Sequence, residues 1–146
     1  MRDQGLALNF APATWQQMID MGWTGILVPE EYGGSDLGHL TFGLILEETG
    51  RQLTASPLFA SAFAGATAIL LAGRDAQKQA LLPGIVDGSV VATLAYDEGP
   101  RHAPNNVATT AERNADGFVL NGSKSFVLEG MAANTLIVSA RTSEEQ

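Results

Sequence analysis

The sequence contains no cysteine, which removes disulfides, thiolate metal sites and a cysteine nucleophile together. Histidine is almost as scarce. His39 and His102 are the only two, and they stand far apart in the chain, so no metal site is expected. Positive charge is thin as well. Eight lysines and arginines face sixteen acidic residues, for a formal net charge of −8. A chain this acidic lacks the basic face that nucleic acid or an anionic membrane surface requires. An anionic ligand would have to find its cations among Lys78, Lys124, Arg2, Arg51, Arg74, Arg101, Arg113 and Arg141. Long apolar runs are missing too. The most apolar stretch, Leu58 to Ala72, is about 15 residues long and is broken by Ser61, Gly65 and Thr67, whereas a membrane span needs about 18 or more. It reads as a buried helix. The opening, Met1 to Pro12, has no basic stretch leading into an apolar one, so no signal peptide is expected. With the absence of cysteine, this fits a cytoplasmic protein.

What is present is a globular balance: 45% apolar and 16% charged residues over 146 positions, enough for one domain or one and a half small ones. The period of the apolar residues changes near residue 89. Before it the spacing is helical. Thr14 and Gln17 form a capping-box pattern ahead of Trp15, Met18 and Ile19, and Gly22 is placed to end that helix. Trp23 to Pro29 is too short for an ordinary helix and reads as an extended, buried connector. Glu30 to Gly34 reads as a turn. Ser35 or Asp36 is expected to cap a second helix whose apolar stripe is Leu37, Leu40, Leu44 and Ile45. Ser56 and Pro57 open a third helix, carrying Leu58, Phe59, Ala62, Phe63, Ala66, Ile69 and Leu70 and stopped by Gly73. Asp75 is expected to cap a fourth, which ends near Leu82 because Pro83 follows.

After Gly88 the pattern is β-rich. Val90 to Tyr96 reads as a strand, Asp97 to Asn106 as a loop, Val107 to Arg113 as a strand and Asn114 to Gly117 as a turn. Asn121-Gly122 carries the strongest short hairpin signal, with Lys124 to Leu128 as the returning strand and Leu136 to Ala140 as another. The fold class is therefore α+β: an all-α helical domain over residues 1–88, then an incomplete antiparallel β domain over 89–146. A small sheet with open edges at the end of the chain reads as a truncated domain or one that a partner completes.

Four stretches carry a family resemblance when taken in order. They are Met21 to Gly34 (Met-Gly-Trp-Thr-Gly-Ile-Leu-Val-Pro-Glu-Glu-Tyr-Gly-Gly), Leu46 to Arg51 (Leu-Glu-Glu-Thr-Gly-Arg), Gln77 to Gly88, and Asp116 to Lys124 (Asp-Gly-Phe-Val-Leu-Asn-Gly-Ser-Lys). Their words and spacing resemble the acyl-CoA dehydrogenases. The resemblance implies FAD, an acyl-CoA thioester substrate and α,β-dehydrogenation, in which a glutamate removes the α proton and the β hydride moves to the flavin. It places that glutamate in a C-terminal helical bundle beyond these residues. So no catalytic residue is expected here, and the chain alone is expected to be inactive. An electron-transfer flavoprotein or similar acceptor and a homo- or hetero-oligomer are implied as partners. The alternative is an inert dehydrogenase-like subunit that needs a full-length partner.

The resemblance also implies flavin contacts at Ala95, Tyr96, Arg101, Phe126 and Leu128. Several depart from the family's words. Tyr96 stands where a threonine contacts the flavin, and Gly99-Pro100-Arg101-His102 replaces a Gly-Ser region. Phe126-Val127-Leu128 replaces Trp-Ile-Thr. Phe126 can still stack on an aromatic ring, but Leu128 has no hydroxyl to donate. Arg101 reads either as a phosphate ligand that replaces lost contacts or as a solvated loop residue. His102 has no identifiable partner that would make it a base. Lys124 reads as a charged edge-strand residue. Glu47 and Glu48 are adjacent on a helix, do not face each other and read as solvated, as do Glu30 and Glu31. The stripe Leu40, Leu44, Ile45 with Phe59 and Phe63 reads first as core, and second as a wall for the acyl chain. No glycine stands in a Rossmann or P-loop context.

Overall fold

The computed structural model describes residues 10–142; the opening residues before Phe10, on which part of the signal-peptide argument rests, lie outside them. The helical half comes first and the strands follow, as the change of period implies. The element order is α1 (Pro12–Asp20), α2 (Gly38–Arg51), a π-helical segment Phe59–Gly65 that runs into α3 (Ala66–Ala72), and α4 (Asp75–Val86). Five strands follow: β1 (Ala92–Ala95), β2 (Thr110–Asn114), β3 (Gly117–Asn121), β4 (Thr135–Val138) and β5 (Arg141–Thr142).

The helix starts differ from the capping patterns. α1 begins at Pro12, with Ala11 at the cap position and no side-chain cap. Phe10 packs edge-on against Trp15 at 6.3 Å. That is a hydrophobic staple across the first turn, and it sets the start in place of the Thr14–Gln17 pair. α2 begins after Leu37, not at Ser35 or Asp36. The backbone N–H groups of Ser35 and Asp36 are spent on the carbonyls of Gly25 and Val28, so this stretch stays tied to the preceding connector. That connector is buried as expected but is not extended. It opens with a 3-10 turn, Trp23–Gly25, and the Thr24 hydroxyl donates to the Val86 carbonyl at 2.6 Å. Gly22 does take the left-handed conformation, φ +73.

The rotation of α2 also differs. Phe42 is its buried residue, while Leu37, Leu40 and Leu44 face outward. Phe42 stacks on Phe63 at 6.0 Å and Phe63 on Phe59 at 5.1 Å. The larger aromatic surface decides which face goes inside. α4 passes through Pro83 to Val86. A proline there orphans the carbonyl of Gln79, and Gln79 is solvent-exposed, so water can satisfy it and the cost stays small. Its N-cap is Arg74, not Asp75; the Arg74 N–H donates to Gln77 Oε1 at 3.0 Å.

Two core clusters result. One gathers Trp15, Met18, Ile26, Leu27, Phe42, Leu58 and Ala62. The other gathers Val28, Ala66, Ile69, Leu82, Ile85 and Ala92. Ala92 belongs to β1, so the first strand is sewn into the helical half. Ser61 Oγ accepts the Ala92 N–H at 3.1 Å and faces the Val90 carbonyl at 3.4 Å. Gly65 lets strand and helix close up: a Cβ there would sit 2.7 Å from Ala92 Cβ.

The strands form two sheets. β1 pairs with β4 in parallel, and β2 pairs with β3 antiparallel and with β5 in parallel. The antiparallel expectation thus holds for the hairpin alone. The connection between β1 and β4 passes through that hairpin, which is long enough for a parallel return. The hairpin turns at Ala115-Asp116, with Gly117 at φ +140. Asn121-Gly122 is not a turn: β3 runs to Asn121, and Gly122 packs against Thr109. Residues 124–128 form no strand.

Gly65→Val should destabilise the fold by about 1–3 kcal/mol through overpacking at Ala92. Gly43→Ala, in α2 with open space around the position, should stabilise it by about 0.4–1 kcal/mol. Urea unfolding of the two variants reads both.

Candidate functional site

Of the flavin contacts implied by the resemblance, all but Arg101 come from two segments, the end of β1 and residues 126–128. Three ties bring these segments together. The Thr93 hydroxyl, on a fully buried residue of β1, donates to the Leu128 carbonyl at 2.6 Å. The Ser125 N–H donates to the Asp97 carbonyl at 2.7 Å. Lys124 supplies the third tie through its amine.

Lys124 is not an exposed edge residue. Its side chain is only 8% exposed, and Nζ lies 2.7 Å from Glu98 Oε1. The same amine donates to Ser139 Oγ at 3.0 Å and to the Tyr96 carbonyl at 3.3 Å. Glu98 is also filled. Its oxygens accept the Ala108 N–H at 2.7 Å, the Thr109 N–H at 2.9 Å and the Thr109 hydroxyl at 2.6 Å. The Lys124 amine first, then Thr109 and the Ala108 N–H, hold the Glu98 carboxyl far below the usual glutamate range. Neither Glu98 nor Ser139 was singled out by the sequence. One signal was available: Lys124 is one of two lysines in the chain, and it sits in a β-rich stretch.

The sequence-derived site residues divide in two. Tyr96, Phe126 and Leu128 are exposed apolar side chains on these joined segments, Phe126 the most open at 79%. Ala95 is buried, its carbonyl accepting the Ser139 N–H at 3.2 Å. Phe126 and Glu129 both take positive φ, 54° and 52°, which costs about 1–3 kcal/mol per residue and is kept only where the surroundings enforce it. Among the described residues, the N–H groups of Phe126, Val127 and Leu128 find no protein acceptor. A shallow groove of about 410 Å³ lies alongside, lined by Lys124, Val127, Glu129, Gly130, Met131 and Leu136.

Arg101 is exposed and makes no ion pair among the described residues. Its loop is ordered by Asp97, which accepts the Ala103 N–H at 3.1 Å and contacts His102 Nδ1 at 3.1 Å. So His102 does have a partner, and its ring lies edge-on to Tyr96 at 5.6 Å. The His102 contact, followed by the Ala103 N–H, holds the Asp97 carboxyl below its ordinary value.

The family model for the acyl-CoA dehydrogenase N-terminal domain matches residues 3–89, more than half of the chain. The chain belongs to the acyl-CoA dehydrogenase family. It is 34% identical over 132 residues to the mitochondrial isovaleryl-CoA dehydrogenase of Pongo abelii, covering 88% of this chain and 31% of that protein. An acyl-CoA dehydrogenase from Bacillus anthracis solved in complex with FAD superposes with a TM-score of 0.78 at 31% identity, over 89% of this chain and 23% of its own. The ChsE4-ChsE5 complex from Mycobacterium tuberculosis superposes with a TM-score of 0.80 at 28% identity, over 92% and 36%. The chain therefore spans about a quarter to a third of the length of the acyl-CoA dehydrogenases it matches. No described helix is long and apolar enough to cross a membrane.

The described residues fit one part of an FAD site. A flavin ring needs an apolar wall and hydrogen-bond donors at its polar edge. Tyr96, Phe126 and Leu128 supply exposed apolar surface, and the open backbone N–H groups of 126–128 supply donors. Leu128 offers no hydroxyl, so any polar contact from that position is made by backbone.

A depressed carboxyl contributes stability that is present above its unfolded pKa and is lost as pH falls through its folded one. Glu98 should therefore make the protein acid-sensitive below about pH 4, the ordinary glutamate range. Glu98→Gln should be less stable at neutral pH, where it breaks the pair, and should lose less on acidification. Urea midpoints measured from pH 7 down to about pH 3 test this; parallel acid slopes for parent and variant would contradict it.

Proposed function

We propose that this chain forms the first part of the flavin site of an FAD-dependent acyl-CoA dehydrogenase that oxidises the α,β bond of an acyl-CoA thioester. The observation that carries the proposal is the surface built by Tyr96, Phe126 and Leu128, with unpaired backbone donors beside it. FAD, when bound, would accept the β hydride. The chain's own residues would wall the ring and donate to its polar edge, with Arg101 from the neighbouring loop turned to the phosphates. We assign residues 1–88 to the helical domain and 89–146 to the first part of the β domain. The match to the family model over residues 3–89 supports that division.

No residue of this chain is assigned the α-proton base. His102 is oriented by Asp97, but its side chain is 67% exposed. The base, the rest of the flavin site and the acyl pocket would come from outside these residues, in an oligomer that passes electrons to an electron-transfer flavoprotein or a similar acceptor. The absence of cysteine supports a cytoplasmic setting. A second reading is an inert subunit that completes a full-length partner. The loss of a hydroxyl at Leu128 favours it, as does the likeness to a protein solved as the ChsE4-ChsE5 complex.

This chain with added FAD is expected to show no acyl-CoA-dependent dye reduction; detectable turnover would overturn the assignment of the base elsewhere. Phe126→Ala should weaken FAD binding by about 0.5–1.5 kcal/mol, the worth of an aromatic stack beyond its buried area. Quenching of flavin fluorescence on titration reads it.

A further inference from the structure

We infer that Lys124 and Glu98 are a positioning pair for the flavin, fixing the direction in which the 125–128 segment presents Phe126 and its open N–H groups. The inference rests on the flavin proposal above. Lys124 Nζ draws acceptors from two stretches: Tyr96 to Glu98 after β1, through the Tyr96 carbonyl and Glu98 Oε1, and Ser139 just beyond β4. Glu98 adds a third by taking the N–H groups of Ala108 and Thr109 at the approach to β2. With the segment that Lys124 itself begins, which carries Phe126, four segments are locked at one point.

The side chains of the pair are 8% and 15% exposed, so both charges are largely taken out of water. Two apolar side chains would hold these strand ends at a lower desolvation cost. They would not fix a direction. A charged amine with three acceptors at set distances does. Two residues along, Phe126 is held at φ 54° with its ring 79% exposed. Its backbone is strained toward solvent and gains no burial from the strain, so the restraint must come from its anchors. Those anchors are Lys124, the Ser125 N–H on the Asp97 carbonyl, and the Thr93 hydroxyl on the Leu128 carbonyl.

The test uses this chain with FAD as the probe, in three forms: unaltered, Lys124→Met, and Glu98→Gln with Lys124→Met. Thermal midpoint, FAD affinity by fluorescence quenching and the visible absorption of bound flavin are measured on each. Contacts that orient a ligand's own contacts are commonly worth about 10–100-fold in affinity. Lys124→Met should weaken FAD about tenfold or more and move the flavin band toward that of free FAD. The double variant, with no unpaired buried charge, should recover most of the thermal midpoint but not the affinity or the spectrum. If Lys124→Met does not fold, the double variant alone decides. Unaltered affinity and spectrum in either variant would overturn the inference, as would recovery of both in the double variant, because the pair would then be structural only. If the unaltered chain makes no contact with FAD even at large molar excess of the flavin, the flavin proposal fails and this inference with it. FAD binding that is indifferent to both variants overturns this inference and leaves the proposal standing.

Discussion

Ser61 and Gly65 hold β1 against the helical half. The serine hydroxyl takes the Ala92 N–H at 3.1 Å, and the bare glycine leaves Ala92 room that any Cβ would remove. Both residues lie in the π-helical segment Phe59–Gly65. Such a local widening of a helix is uncommon. The placement of β1 decides the rest of the β half. β4 pairs along β1 in parallel, aided by Asn134, whose side chain accepts the Val91 N–H at 3.0 Å and donates to the Ser89 carbonyl at 2.7 Å. Thr93 then reaches Leu128, and the end of β1 delivers Tyr96 and Glu98 to the junction where Lys124 sits. The surface that carries Tyr96, Phe126 and Leu128 is thus one step removed from the helical core.

Charge is used sparingly in this molecule, and its placement is uneven. Most of the sixteen acidic residues are exposed. The pairs Arg51–Glu47 and Arg51–Glu48 on α2 are open to solvent, and pairs of that kind are worth little. The Lys124–Glu98 pair is different, because both ends are largely desolvated and fully hydrogen-bonded. A buried pair of this sort roughly breaks even against an apolar replacement, but losing one partner is costly. That asymmetry explains why a single lysine can govern the geometry of four segments without being a large source of net stability.

The helical half was legible because apolar spacing and stop signals are local. Gly22 in its left-handed turn and the glycine stop at Gly73 follow from residues within a turn of each other. The errors there share a cause: aromatic packing outranked a capping or patterning preference. Phe10 on Trp15 replaced the Thr14–Gln17 cap, and the Phe42–Phe63 stack turned Leu40 and Leu44 outward. The β half was less legible because strand pairing is not local. Asn121-Gly122 is a strong turn word, yet Thr109 packs against Gly122 and Lys124 is drawn to Glu98, so the chain leaves the hairpin instead of reversing. The family resemblance brought Tyr96, Phe126 and Leu128 to notice. It did not bring out Glu98 and Ser139, whose roles exist only once β1, β4 and the 97–109 loop are assembled. Ala95 was singled out by its place in a family word, and its side chain is buried.

The central claim is that the end of β1 and residues 125–128 present one face to the flavin. The most direct test is amide chemical-shift mapping of the isotope-labelled chain on addition of FAD. The account predicts shifts at Tyr96 and at Phe126, Val127 and Leu128, with smaller ones in the loop around Arg101 and none along the outer face of α2. Shifts confined to α2, or to the α1–α2 groove lined by Met18, Met21 and Trp23, would contradict it.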